Sequence, residues 1–117
     1  MADEDVVIPV AGMPATICKF SDREPVTVIE VKTFKSGPRK GQPREVIVQD
    51  ATWRAISGSG HDGSLVCEYE PNPNGHTHAY VLATKGRRAG KWTEKGLSGR
   101  GWVLSLGRYS YHRDPHI

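Results

Sequence analysis

Arg39, Lys40, Arg87, Arg88, Lys91, Arg100 and Arg108 are the residues whose type and grouping could act on a partner. Guanidinium groups grip phosphate or carboxylate oxygens through paired N–H donors, so arginines are expected to lead and lysines to assist. Two stretches collect these cations without a single acid: Lys35-Ser36-Gly37-Pro38-Arg39-Lys40-Gly41-Gln42-Pro43 and Lys85-Gly86-Arg87-Arg88-Ala89-Gly90-Lys91. Trp92 follows the second stretch, Trp92 and Trp102 flank Lys95 and Arg100, and Tyr80 lies on the strand before it. Aromatic faces beside cations can stack a base while the guanidinium groups hold its phosphates. Trp92 is expected to present an exposed ring for that purpose, and Trp92 or Tyr80 to stack on a base. Trp102 keeps phase with Leu104 and Leu106 and is expected in the core.

Other chemistries find less support. His76 and His78 project from one face of a strand, as two metal ligands could, with a third from His61, Asp62, His112, Asp114 or His116. Neither cysteine belongs to a Cys-x-x-Cys unit, and no ligand spacing is recognisable, so no metal is expected. There is no Gly-x-Ser-x-Gly elbow, and the glycine-rich stretches at 57–63 and 96–101 do not match a phosphate-binding P-loop. Glu68 and Glu70 share an outward face and read as solvation. The chain is therefore expected to be no enzyme and to need no cofactor; a metal-dependent hydrolase using His76 and His78 is the distant alternative.

Composition sets the frame for these residues. The chain has 117 residues, the size of one domain. Its 13 glycines and 8 prolines punctuate too often for a helical bundle. The net charge of +3 conceals an uneven layout. Residues 1–24 hold two cations against five acids, a balance of −3, whereas residues 76–117 hold eight cations against two acids, a balance of +6. An anionic partner is the expectation for the second half. Cys18 and Cys67 lie in apolar strand-like runs and are expected as reduced thiols. The first residues are acidic where a signal peptide would be basic, and no apolar run reaches a membrane span of about 18 residues, so a cytoplasmic protein with no membrane partner is expected.

The elements that must carry these side chains are strands. Residues 1–15 read as an arm, acidic and then apolar through Val6–Val10, with Pro9 unsuited to a central strand. Residues 16–117 read as one β domain. Strands are expected at Thr16–Phe20, Val26–Phe34, Arg44–Gln49, Asp50–Ile56, Ser64–Glu70, His76–Thr84, Lys91–Glu94 and Trp102–Leu106, with a bulge or bend near Val28-Ile29 where the apolar phase changes. Pro71-Asn72-Pro73-Asn74-Gly75 predicts a hairpin between Ser64–Glu70 and His76–Thr84, and residues 85–90 predict another. No helical stripe and no internal repeat is visible. Seven or eight short antiparallel strands make a small barrel or compact sandwich. The tail keeps Tyr109 and Tyr111 and is expected to dock on the body or on a second copy.

These pieces resemble, in order, a loose class of short proteins encoded by bacteriophages and prophages. The resemblance rests on Pro25-x-Thr27-Val28, Val46-x-Val48-Gln49-x-Ala51, Tyr69-Glu70-Pro71-Asn72-Pro73-Asn74-Gly75, a Trp after a basic turn, and Leu106-Gly107-Arg108-x-x-Tyr111-x-x-Asp114-Pro115-His116. Ile117 stands where an aromatic would be expected. The resemblance implies a small β protein working in the host cytoplasm as a counter-defence or host-takeover factor, by sequestering or blocking something, with no catalytic residues to carry over. The leading expectation is thus a binding module for a nucleotide-type signal or nucleic acid. The alternative is a protein-interaction module that inhibits a host defence protein and forms an oligomer through the arm and the tail.

Overall fold

A computed structural model describes residues 8–19, 22–57, 66–84, 86–97 and 101–111. Among the described residues there are eight strands: β1 (Pro14–Lys19), β2 (Asp22–Thr33), β3 (Pro43–Asp50), β4 (Thr52–Ser57), β5 (Val66–Glu70), β6 (Thr77–Leu82), β7 (Trp92–Glu94) and β8 (Val103–Leu106). The protein is all-β. Six of the strands close a barrel in the order β1-β2-β3-β6-β7-β8, with β8 returning to β1, while β4 and β5 form a separate two-stranded ribbon. Every pairing is antiparallel. No helix among the described residues is long and apolar enough to cross a membrane.

Alternation builds the core. Ala15 and Ile17, Val26 and Val28, Val46 and Val48, and then Tyr80, Trp92 and Leu104 point into one buried cluster, two residues apart along each contributing strand where a strand gives two. Among the described residues nine buried side chains fill the interior, with Met13, Val31, Leu82, Trp102 and Leu106 packed against them, as suits a barrel of so few strands. The phase change in β2 is a register slip between Val28 and Glu30, which turns Ile29 to solvent where the sequence predicts a bend.

The two basic stretches form one structure twice. In residues 34–42 the Phe34 N–H donates to the Gln42 carbonyl, and Gly41 to Phe34, Lys40 to Gly37 and Gln42 to Arg39. In residues 83–91 the same four bonds run from Ala83 to Lys91, Gly90 to Ala83, Ala89 to Gly86 and Lys91 to Arg88. Glycines take positive φ at matching positions, Gly37 and Gly86, then Gly41 and Gly90. The sequence shows no repeat because only Gly-x-Arg-x-Gly is common to both copies. Both turns emerge at the barrel end where β1 starts and β8 stops.

One expected pairing is not formed. β5 pairs with β4 rather than with β6, whose neighbours are β3 and β7, so Pro71–Gly75 is a corner and not a hairpin tip. The end of β3 decides this. Gln49 donates through Nε2 to the Pro73 and Gly75 carbonyls at 3.0 and 3.1 Å, and the Asp50 N–H reaches the His76 carbonyl at 2.8 Å. These bonds deliver the chain beside β3, whose buried Val46 and Val48 need a second neighbour. Gly75 permits the approach, because a Cβ there would collide with the Asp50 carbonyl oxygen.

The tail docks on its own chain. Thr16 Oγ1 donates to the Arg108 carbonyl at 2.8 Å, and Thr27 Oγ1 lies 2.8 Å from the Tyr109 hydroxyl. Tyr109 then stacks on Tyr69, and Tyr111 stacks on Trp53 while its N–H donates to the Tyr69 hydroxyl at 3.0 Å. Residues 108–111 therefore cover Thr16 and Thr27 on the barrel wall and fasten the β4–β5 ribbon to it.

Candidate ligand-binding site

A cavity of about 890 Å³ lies along β8, bounded by Leu82, Trp92, Val103, Leu104 and Leu106, with Ile8 and Pro9 of the arm across it. Its walls are mainly apolar because strand ends contribute them: the last residue of β6, the first of β7 and the whole of β8. Gln42 and Pro43 close one side and Gly90 and Lys91 the other. The twin turns thus meet the same cavity through equivalent positions, Gln42 and Lys91. Pro43 opens β3, a position that tolerates the missing N–H.

The predicted cations divide into three groups. Arg39, Lys40, Arg87, Lys91 and Arg108 are exposed, and Lys91 lines the cavity directly. Arg39 sits over the Phe34 ring at 5.8 Å, a contact within its own turn. Arg88 is half-buried and donates through Nη1 to the Gly101 carbonyl, tying the second turn to the segment that enters β8. One of its guanidinium donors is thus engaged within the chain. Arg100 lies outside the described residues.

Both aromatic expectations need correction. Trp92 is 9% exposed and belongs to the core, because its register opposite Leu104 and Leu82 turns the ring to the packed face, where it also lines the cavity. Tyr80 is 1% exposed for the same reason, opposite Val46, and cannot offer a face to a base. Trp102 packs half-buried against the core, as its phase predicts, and Lys19 Nζ lies 5.9 Å from its ring. Leu82, Val103 and Leu106 are the wall residues that the sequence reading missed. Their signal is an apolar residue at the end of a strand, which also fits plain core.

His76 and His78 do not converge on a shared site. His78 Nε2 is 2.9 Å from Asp50 Oδ1, while His76 is exposed beyond the start of β6. Among the described residues no three His, Cys, Asp or Glu side chains are grouped to hold a metal ion. His61, Asp62, His112, Asp114 and His116 lie outside the described residues. Cys18 and Cys67 are free thiols, both half-buried, and Cys18 lines the cavity. Compared with protein-family models, curated proteins and solved structures, the chain finds no match.

Proposed function

We propose that the protein is a non-enzymatic binding module for a small anionic ligand with an apolar or planar body, of nucleotide type. The carrying observation is an apolar-walled cavity lined in part by two copies of one basic turn, through Gln42 of the first and Gly90 and Lys91 of the second. Its volume lies in the range of small-molecule pockets, about 300–1,000 Å³. Arg39 and Lys40 on one turn and Arg87 and Lys91 on the other would take the negative groups, while the body rests on Leu82, Leu106 and Trp92. A concave site favours a free ligand over a long nucleic acid. The phage resemblance extends the reading to sequestration of a host signal as a counter-defence act.

Titration with ATP and with short DNA, read by tryptophan fluorescence at salt from about 50 to about 300 mM, tests the electrostatic part. Affinity should fall as salt rises, and Arg39→Ala with Lys40→Ala should weaken binding about ten-fold, as loss of charge-assisted contacts does. Absence of binding at the lowest salt, or affinity indifferent to salt, sinks the proposal. Affinity that climbs with DNA length would transfer it to nucleic acid.

A second reading has one observation in its favour. Ile8, Val10, Trp53 and Ile56 are exposed on the arm and the ribbon, which suits a protein-interaction module that inhibits a host protein. Residues 108–111 are engaged within the chain, and on this reading an oligomer would form through the arm and the rest of the tail.

A further inference from the structure

The opposite end of the barrel holds a different kind of opening. Where β1 and β7 end and β2 and β6 begin, a mouth of about 450 Å³ is lined by Lys19, Glu24, His78, Tyr80, Glu94 and Trp102, among others. Its cations are already committed. Lys19 Nζ lies 2.9 Å from Glu24 Oε2, and Lys95 Nζ lies 2.9 Å from Glu45 Oε1 on the outer wall. Glu94, by contrast, accepts a backbone N–H from Trp102 at 3.1 Å and has no cation partner among the described residues.

Tyr80 supplies a second, independent observation. The residue is 1% exposed, yet its hydroxyl has no hydrogen-bond partner among the described residues. No buried side-chain polar atom there is sealed off unpaired, so this hydroxyl must open onto the mouth it lines. Burial, and then Glu94, Glu24 and Asp50, push the hydroxyl well above its ordinary range, so it keeps its proton. Three of the four groups that act on it are carboxylates, and the fourth is the Cys18 thiol.

We infer that this mouth binds a small organic cation carrying a primary ammonium group, held by the Glu94 carboxylate and the Tyr80 hydroxyl beside the Trp102 ring. An ammonium supplies three N–H donors, one for each acceptor and one for water at the rim. A bare metal ion is a poorer occupant, since no three metal-ligating side chains gather among the described residues. The site is independent of the cavity lined by the basic turns.

Nuclear magnetic resonance titration of the full chain with n-butylammonium chloride tests it, with sodium butyrate as the control of opposite charge. The amides of Glu94, Lys95 and Trp102 should shift and saturate with the amine. Glu94→Gln should weaken the amine about ten-fold, and Tyr80→Phe, which keeps the ring in the core, about three-fold. The double variant Arg39→Ala with Lys40→Ala should bind the amine as the parent does. A mouth that holds only water shows no shifts up to about 50 mM amine, a concentration that detects even millimolar affinity, and ends the inference. So does a butyrate response of equal size, or unweakened binding by folded Glu94→Gln or by Tyr80→Phe.

Discussion

Glu45 is the most constrained charge among the described residues. It lies on the outer wall of β3, 2% exposed, with Lys95 Nζ at 2.9 Å and Lys32 Nζ at 3.9 Å. The hydrogen bond from Lys95 holds its carboxyl below the ordinary value against the opposing effect of burial. A carboxylate held low in the folded state binds fewer protons there than in the unfolded chain, so it stabilises the fold above the unfolded value. That stability is lost as pH falls through the lower folded value. Glu45→Gln should therefore cost about 1.5–3 kcal/mol at neutral pH, the worth of a hydrogen bond to a charged group. The cost should shrink steadily in acid, as read by urea unfolding across pH. A cost that stays constant with pH would show that the lysines do nothing for this carboxylate.

At the scale of elements, the twin turns make a paired prediction. Gly41 and Gly90 have φ of 86° and 87°, and each donates its N–H across the same seven-residue span. Alanine at either position would be forced into the left-handed region, at a cost of about 1–2 kcal/mol. Thermal melts should give the two variants equal losses; a clear inequality would mean that the turns differ in strain despite their bonds. The docked tail makes another prediction. Tyr109→Phe should cost about 1 kcal/mol through the lost Thr27 contact. Tyr111→Ala should speed hydrogen exchange in β4 and β5 while leaving β3 and β6 protected, because a lone two-stranded ribbon is marginal without its staple. Uniform exchange changes would argue against that division. Strand positions were legible from alternation, including the slip at Val28. Pairing was less so: Pro71–Gly75 announces a turn, but which strands flank it in the sheet depends on the open edge of β3, a property of residues more than twenty positions earlier.

For the whole molecule, closure decides what the sequence could reveal of the site. Cations at turn tips are local facts and could be picked out as exposed candidates. Cavity walls are not, because Leu82, Trp92 and Leu104 meet only through the β6–β7–β8 pairings and Cys18 meets Val103 only when β8 returns to β1. Trp92 shows the difference within one residue: its basic neighbours suggest solvent, while its cross-strand partner Leu104 determines burial. The filled interior has a further meaning. Ile17, Val26, Val28, Val46 and Val48 are buried in the barrel interior; of these Ile17 lines the polar mouth, and none lines the apolar cavity. Yet β6 places Leu82 in the cavity and His78 in the mouth, and β7 does the same with Trp92 and Glu94. Two occupants would each lean on the same two strands; whatever help or hindrance the anion gave the amine, the amine would return in equal measure.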